Sequence, residues 1–350
     1  MDTDILIIGA GLAGLSLARR LEQQGMDYLL CESAGRIGGR VKTDLAGQVP
    51  VDLGPAWIWP DQPRINALAR QLGLLVFDQY SKGDGLWQTV SGEVHRAPGA
   101  GSMKGSFRIA GGLARLTQGL ADSLPENRLL LQNSVKSLVK GDNGILAGTQ
   151  RGEIRANRVV VAAPPRLVTA TTGFSPSLPD EVMSEMHDVP TWMAGHAKFI
   201  AVYGRPWWRE AGLSGDAISQ TGPLAEIHDA SPHDEQAFAL FGFVGTPPAI
   251  RATHRDKVIS DAVSQLATLF GPQLASPQAV LMEDWAANPM IATPADHNGP
   301  DHHPAYGTPA ALRGLWDGNL IFASSEMGNH FGGFLEGALE AAEQAEAALG

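Results

Sequence analysis

The sequence predicts an α/β protein in which the two ends of the chain form one domain and the middle forms a second, inserted α+β domain. Residues 4–33 contain an apolar run, a glycine-rich turn and an amphipathic segment, in that order. Residues 318–349 contain another apolar run, another group of glycines and an alanine-rich segment. A strand near each end of the chain indicates that both ends contribute to one sheet.

The first element is an apolar strand over residues 5–8, followed by the turn GAGLAG and a helix. This context gives the glycines distinct roles. Gly9 permits the tight turn, Gly11 lets the backbone approach a diphosphate, and Gly14 lets the helix pack on its strand. The segment is therefore predicted to bind a dinucleotide, with a plain glycine-rich turn as the alternative.

The helix after the turn presents unpaired N–H groups, including those of Leu12 and Ala13, to the phosphates. A second apolar strand over residues 28–31 leads to Glu32 and Ser33. Glu32 follows the last glycine of the turn by 18 residues, at the distance where a carboxylate binds ribose hydroxyls. Because a carboxylate repels a 2′-phosphate, this site is predicted to hold FAD or NAD rather than NADP.

The remaining elements follow from apolar runs and from glycine and proline breaks. Helices are expected over residues 61–73, 109–124 and 256–270, and a long helix closes the chain. Residues 81–106 are glycine-rich and are expected to form a loop or a crossing between domains. Short β-rich runs over residues 128–163 predict an antiparallel meander that ends in a buried strand.

From residue 166 to about 300 the sequence becomes richer in Pro, His and Trp, which predicts a substrate domain. The strand-like runs AKFIAVY and AFALFGFVG lie in it. The predicted dinucleotide-binding domain comprises residues 1–80, 107–165 and 300–350, and the substrate domain comprises residues 81–106 and 166–299.

Composition excludes several classes of partner. The chain has 350 residues, a formal net charge of −11 and no Lys/Arg cluster, so neither nucleic acid nor an anionic membrane is an expected partner. Its single cysteine, Cys31, cannot form an internal disulfide and is expected to be a buried thiol. With no room for a signal peptide and no membrane-spanning apolar run, the chain is predicted to be cytoplasmic. Its oligomeric state is left open.

Four segments together resemble the flavin-containing amine oxidase family, which includes the monoamine oxidases. They are DILIIGAGLAGLSLARRLEQQG, RIGGR, VDLGPAW and FASSEMGNHFGGFLEGALEAAEQA. Their order and spacing match the family over nearly the whole chain, although desaturases and protoporphyrinogen oxidases share the opening. The resemblance implies an FAD-binding, Rossmann-like domain of the GR2 type. It also implies a small-molecule amine substrate, hydride transfer to flavin N5, and dioxygen as the acceptor that yields hydrogen peroxide.

The resemblance also implies which residues contact FAD, beyond those of the opening turn and Glu32. They are Gly39, Arg40, Gly54, Pro55, Ala56, Trp57, Val135, Ala163, Ser325, Glu326, Gly333, Phe334 and Leu335. Cys31 does not lie where some members carry a cysteine bonded to the flavin, so FAD is expected to be non-covalent. The N–H of Leu335, at the start of the closing helix, is expected to face the flavin pyrimidine edge, where negative charge grows on reduction.

Three residues are predicted to act in catalysis: Lys198, Phe334 and Trp285. Lys198 lies in an apolar run, where an unpaired ammonium is costly, although strand alternation could also turn it to solvent. In the family the matching lysine holds a water at flavin N5 and helps oxygen to react.

The sequence departs from the family where two tyrosines would frame the substrate nitrogen. Phe334 stands at one position, and no tyrosine aligns after Trp285. Two other interpretations therefore stay open: a flavoprotein of the same fold that oxidises a reduced nicotinamide or a C–C bond, and a non-catalytic FAD-bound partner protein.

No metal site is predicted. The segment DHNGPDHHPAY offers Asp296, His297, Asp301, His302 and His303, but its spacing matches no metal motif. His330 is expected either to touch the substrate or to make a structural hydrogen bond.

Overall fold

The structure is a computed structural model that describes residues 1–99, 101–300 and 302–350. Its helices are α1 (Leu12–Gln23), α2 (Pro63–Gln71), α3 (Ala114–Ala121), α4 (Pro165–Thr171), α5 (Asp180–Asp188), α6 (Trp207–Glu210), α7 (Pro248–Phe270) and α8 (Leu335–Leu349). Its strands are β1 (Asp2–Ile8), β2 (Tyr28–Cys31), β3 (Thr43–Ala46), β4 (Val49–Asp52), β5 (Val76–Asp78), β6 (Asp84–Gln88), β7 (Val94–Ala97), β8 (Phe107–Ile109), β9 (Leu129–Leu130), β10 (Val135–Gly141), β11 (Gly144–Thr149), β12 (Gly152–Val161), β13 (Gly173–Ser175), β14 (Ala197–Tyr203), β15 (Leu213–Ser219), β16 (Leu224–Asp229), β17 (Phe238–Val244), β18 (Ala279–Asp284) and β19 (Leu320–Phe322).

The first sheet joins the two ends of the chain. Its strand order is β13-β10-β11-β12-β1-β2-β9, and β19 pairs with β12. Strand β12 pairs in parallel with β1 along one edge; its other edge pairs first with β11 and then, over residues 159–161, with β19. The carboxyl ends of β1, β2, β12 and β19 therefore meet at one edge of the sheet, the usual place for a ligand in such folds.

Helices α1 and α8 pack on this sheet and on each other. Their apolar residues bury one face, with Leu15, Leu17 and Ala342 fully inaccessible. Arg20 of α1 also donates to Glu343 at 2.8 Å and to Glu346 at 2.7 Å on α8. The closing helix is thereby fixed beside the opening turn.

The second sheet has the order β18-β14-β17-β16-β15-β6-β7, and β14, which lies between β18 and β17, carries the run AKFIAVY. All seven residues of β14 are buried. Residues of α7 such as Val258, Ala262 and Leu266 pack in the same core cluster as Phe199 of β14.

Three predicted elements differ from the structure. Residues 81–106 are not irregular throughout, since they contain β6 and β7. The helix expected over 109–124 begins only at Ala114, because β8 pairs with β5 and is followed by Gly111 and Gly112, both with positive φ. The helix expected over 256–270 is the second part of α7, which begins at Pro248.

The division of the chain into two domains stays a prediction. Strand β13 pairs with β10 in the first sheet, although it follows the predicted boundary at residue 165. Within the residues that the structure describes, no helix combines the length and apolar character needed to cross a bilayer.

Candidate active site

One cavity runs between the two sheets, and we divide it into two parts by the residues that line it. The nucleotide part is lined by the turn after β1 and by the ends of β2 and β12. The lysine part is lined by β14, by the start of α8 and by several aromatic side chains. Twenty of the predicted site residues line the cavity: Gly9, Gly11, Leu12, Ala13, Glu32, Ser33, Gly39, Arg40, Gly54, Pro55, Ala56, Trp57, Val135, Ala163, Lys198, Trp285, Ser325, Gly333, Phe334 and Leu335.

The three glycines of the opening turn meet different surroundings. Gly9 has a φ of 105°, and a Cβ there would lie 2.9 Å from the Ala162 carbonyl oxygen. A Cβ on Gly14 would lie 1.9 Å from the Gly9 carbonyl oxygen, so Gly14 sits behind the cavity and lets α1 pack closely. A Cβ on Gly11 would meet nothing within 4 Å. The space beside Gly11 is therefore free for a ligand.

Glu32 is held at the mouth of the nucleotide part by backbone amides. Its carboxylate accepts hydrogen bonds from the N–H groups of Ala10 and Ala34, both at 2.8 Å. Cys31 and Asn133 lie next to it, with the Asn133 amide 3.4 Å from the Cys31 sulfur. The carboxylate thus has a fixed position from which it can accept from hydroxyl groups.

Arg40, which is half-buried, forms an ion pair at 2.7 Å with the buried Glu326. Arg40 also donates to the Ser325 hydroxyl at 2.9 Å and to the Trp192 carbonyl at 3.1 Å. Burial alone would raise the pKa of Glu326, but the charge and hydrogen bonds of Arg40 lower it below its usual range. Arg40 lines the cavity and Glu326 does not. Through the ion pair, Glu326 fixes the position of the Arg40 side chain.

Lys198 is buried, with 2% of its surface exposed, so its strand does not turn it to solvent. Its Nζ donates to the Gly54 carbonyl at 2.8 Å and lies 4.1 Å from the centroid of the Phe241 ring. Burial lowers the pKa of Lys198 to about 7, although the Asp52 carboxylate acts in the opposite direction. Lys198 can therefore hold or release a proton near neutral pH.

Aromatic side chains line the lysine part of the cavity together with Lys198. Trp285 is buried, and its Nε1 donates to the Leu53 carbonyl at 3.0 Å. Phe334 stacks on His303, with ring centroids 4.8 Å apart. The described lining includes the aromatic residues Trp57, Trp59, Trp192, Phe243, Trp285 and Phe334. These rings make this part of the cavity apolar.

Helix α8 begins at the cavity wall. Gly333 adopts a positive φ of 80°, Phe334 caps the helix, and Leu335 is its first residue. The first N–H groups of a helix have no acceptor within it, so those of α8 are available to a ligand. The amides of α1 are available in the same way at the nucleotide part.

The histidine-rich segment has structural roles where it is described. Asp296 accepts from Arg166 at 2.8 Å and from the Thr293 hydroxyl at 2.8 Å. In the described part of the chain no group of three or more His, Cys, Asp or Glu residues could hold a metal ion, and Asp301 lies outside the described residues. The exposed His330 pairs with Glu340 at 2.9 Å and does not line the cavity.

Two residues of the lysine part were missed from the sequence. His196 precedes Lys198 by two residues, so strand alternation could have placed both on one face. Trp192 lies on the connection before β14, where no periodic pattern exists to predict its direction.

The cavity fits a flavin dinucleotide. Open space faces Gly11, free amides lie at the starts of α1 and α8, and the Glu32 carboxylate can accept from ribose hydroxyls. Comparison with known families gives the same result. Residues 94–349 match the model described as flavin containing amine oxidoreductase, and residues 7–72 match an NAD(P)-binding Rossmann-like domain.

The chain belongs to the flavin-containing amine oxidoreductase family. It is an FAD-dependent oxidoreductase, as the sequence predicted. The α/β fold with a Rossmann-like domain is also confirmed. FAD is bound non-covalently, as predicted, and Cys31, the single cysteine of the chain, lies in the nucleotide part beside Glu32.

Relatives of this flavin-containing oxidoreductase share most of its length. The chain is 24% identical to a putrescine oxidase of Kocuria rosea, and the alignment covers 75% of this chain and 78% of the relative. It is 23% identical to flavin-containing amine oxidase B of Sus scrofa, over 98% and 85% of the two chains. It is also 23% identical to an L-amino acid dehydrogenase of Synechocystis, over 99% and 94%.

Solved structures share the fold. A putrescine oxidase bound to putrescine superposes with a TM-score of 0.82 at 19% identity, covering 100% of this chain and 99% of the other. Cyclohexylamine oxidase from Brevibacterium oxydans gives a TM-score of 0.83 at 21% identity, with the same coverage.

Proposed function

We propose that this flavoenzyme oxidises a small amine at the carbon next to nitrogen and passes the electrons to dioxygen. The bound FAD supplies the two-electron acceptor for the hydride that leaves this carbon. The products are an imine, which water hydrolyses to a carbonyl compound and ammonia, and hydrogen peroxide. The observation that carries the proposal is the buried Lys198, in the same cavity as the nucleotide-binding turn.

The residues of this chain divide the work between the two parts of the cavity. We assign Gly11, Leu12, Ala13, Glu32 and Arg40 to holding FAD at the nucleotide part, and the first amides of α8, including that of Leu335, to its ring. Lys198 holds a proton or a water at Nζ, and its pKa of about 7 allows either state near neutrality. Trp285 and Phe334 exclude water and orient the substrate body.

The lining also favours one class of amine. Among the described lining residues the only carboxylate is Glu32, in the nucleotide part. A second ammonium in the lysine part would have no anionic partner, and an unpaired buried charge is costly. We therefore propose a monoamine with an apolar body as the substrate.

A peroxide assay with the purified holoenzyme tests this function. Benzylamine, cyclohexylamine, putrescine and several amino acids serve as donors, each in air and with a dye acceptor under nitrogen. Peroxide from a monoamine supports the proposal. If an amine is oxidised only when the dye is present, the amine substrate is supported but dioxygen is not the acceptor. If no amine is oxidised with either acceptor, the proposal is contradicted.

A second candidate follows from the missing tyrosines. Phe334 occupies one of the two positions that carry tyrosine in the family, so oxidation of a reduced nicotinamide is the rival activity. NADH and NADPH belong in the same assay. Rapid oxidation of either, without any amine turnover, would favour the rival.

A further inference from the structure

The apolar lining of the lysine part raises the question of what recognises the substrate nitrogen. Most polar groups there already have partners. Lys198 donates to Gly54, Trp285 donates to Leu53, and the Asn288 side-chain oxygen accepts from the Met290 N–H. A nitrogen entering this part therefore finds few free hydrogen-bonding groups.

The Ser324 hydroxyl is one buried polar group of the lining without a hydrogen-bond partner, and His196 carries another. Its Nδ1 is buried without a hydrogen-bond partner. No hydrogen bond is formed by its Nε2 within the described residues, and the side chain lines the cavity beside Lys198. Since Nδ1 is enclosed, Nε2 is the ring nitrogen that a ligand can reach.

The surroundings of His196 keep its ring uncharged. Burial lowers the pKa of His196, and the nearby Arg251 guanidinium lowers it further. The charge of Arg251 is balanced by Asp284 at 2.7 Å. A neutral imidazole can accept from an amine N–H or donate to an amine lone pair, whereas an imidazolium would repel an ammonium.

The segment that carries His196 is also held rigidly. Arg251 donates to the Gly195 carbonyl at 2.8 Å, and Asp296 accepts from the Thr191 N–H at 3.2 Å. Met193, within this segment, has a positive φ of 61°. A side chain with such support can present a hydrogen-bonding atom at a fixed place.

We propose that the His196 imidazole hydrogen-bonds the substrate nitrogen. It would thereby recognise the nitrogen, a role that two tyrosines have in other members of the family. This inference rests on the proposed amine oxidation. It makes His196 a residue that selects nitrogen, while Lys198 acts on the proton and oxygen chemistry.

A binding experiment with an amine that cannot react tests the proposal. The probe is 2-phenylpropan-2-amine, whose carbon next to nitrogen has no hydrogen, so its Kd can be measured from the flavin absorbance change. Isopropylbenzene, of similar shape but without nitrogen, is the second probe. We expect His196→Leu to raise the Kd of the amine by about tenfold, the value of one hydrogen bond, and to leave that of isopropylbenzene unchanged.

Two further variants separate recognition from packing. His196→Gln keeps a hydrogen-bonding atom at similar reach and should retain most of the amine affinity. His187→Leu replaces an exposed histidine on α5 and should change neither Kd. Equal losses for both probes in His196→Leu would assign the residue to packing and overturn the proposal, as would an unchanged amine Kd.

The outcome also distinguishes this inference from the function on which it rests. If the wild-type enzyme neither oxidises benzylamine nor binds 2-phenylpropan-2-amine, amine oxidation fails and the role of His196 fails with it. If the wild type oxidises benzylamine and His196→Leu binds both probes as the wild type does, only the role of His196 fails.

Discussion

Lys198 is an ionisable residue in a strand whose every residue is buried. The ammonium contacts one carbonyl oxygen and the face of Phe241, and no carboxylate of the described residues pairs with it directly. Desolvation therefore dominates, and the pKa falls from the usual value for lysine to about 7. Such shifts are common at catalytic groups, which agrees with the assignment of Lys198 to oxygen chemistry.

Replacing Lys198 with Met should slow the reaction of the reduced enzyme with dioxygen by about 10- to 100-fold, because a positive charge stabilises the developing negative charge. In the wild type the cation is present below pH 7 and is lost as the pH rises through the pKa of about 7. The rate constant should therefore fall with rising pH in the wild type and be independent of pH in Lys198→Met. Stopped-flow measurement from pH 6 to 9 checks this, with the exposed Lys136→Met as control. A retained pH dependence in Lys198→Met would remove Lys198 from this step.

The sequence could identify Lys198 but not its direction. An apolar run with one lysine fits a buried functional group and an outward-facing one equally well. The structure decides between them because all residues of β14 are buried, so both of its faces are covered, and Phe241 of β17 covers the ammonium. His196 was missed because it lies just before the apolar run of β14, although its spacing of two residues from Lys198 was a usable signal.

In the strand–turn–helix element at the start of the chain, one glycine is needed for packing and another for ligand binding. Gly11 and Gly14 lie in one turn, but a side chain on each meets different atoms. Gly14 has the Gly9 carbonyl within 1.9 Å of an added Cβ, and Gly11 has open space. The two glycines can therefore be tested against each other.

Gly11→Ala should leave the melting temperature of the FAD-free protein unchanged and raise the Kd for FAD by at least about tenfold, since the methyl group enters the space for the diphosphate. Gly14→Ala should destabilise the FAD-free protein by about 1–3 kcal/mol, because α1 must move away from β1. Thermal unfolding and FAD titration measure the two effects. Tight FAD binding by Gly11→Ala would show that the diphosphate lies elsewhere.

Helix α2 depends on a carboxylate from the other end of the chain. Glu336, fully buried in α8, accepts from the N–H groups of Arg64 at 3.1 Å and Ile65 at 2.9 Å. These amides lie in the first turn of α2, where a helix has no internal acceptors and where negative charge is favourable. Glu336, in the first turn of α8, thus caps the N-terminus of α2.

Glu336→Gln should lower the free energy of unfolding by about 1–2 kcal/mol, through loss of a charged hydrogen-bond acceptor at a helix N-terminus. Glu343→Gln is the matched control on the same helix. Its side chain is 36% exposed, so the loss of its ion pairs with Arg20 and Arg64 should cost less than about 0.5 kcal/mol. Urea unfolding of the FAD-free proteins compares them, and equal losses would contradict the capping role.

The sequence predicted well those elements whose structure is determined by residues close together in the chain. The opening strand, its glycine turn and α1 follow from apolar spacing within a short window. Strand β6 was missed because it pairs in parallel with β15, about 130 residues away in the chain, and nothing near residue 84 indicates that partner. Strand β7 was missed although it pairs with its neighbour β6. The predicted start of α7 at residue 256 lies just after His254, whose non-helical backbone divides α7, and the first turns from Pro248 were missed.

At the scale of the molecule, both ends of the chain and the second sheet enclose one cavity. The front contributes the turn of Gly11, the rear contributes the start of α8, and the second sheet contributes Lys198. The predicted convergence of the two ends is realised by the pairing of β19 with β12, next to β1. The lysine part of this cavity has apolar walls and no carboxylate among its described lining residues.

This arrangement predicts discrimination between monoamines and diamines. Putrescine would bring a second ammonium into a lining without an anionic partner, whereas benzylamine brings an apolar ring. We expect kcat/KM for benzylamine to exceed that for putrescine by at least about 100-fold, equivalent to about 2.7 kcal/mol. Steady-state peroxide formation at pH 8 measures both. A preference for putrescine would require a carboxylate near Lys198 that the described lining does not contain.

The most direct test of amine oxidation is anaerobic spectrophotometry of the purified holoenzyme. Added benzylamine or cyclohexylamine should bleach the absorbance of the oxidised flavin, and NADH and NADPH should leave it unchanged. Admission of air should then restore the absorbance and release one equivalent of hydrogen peroxide for each flavin. Bleaching by a reduced nicotinamide, with neither amine having any effect, would contradict the assignment.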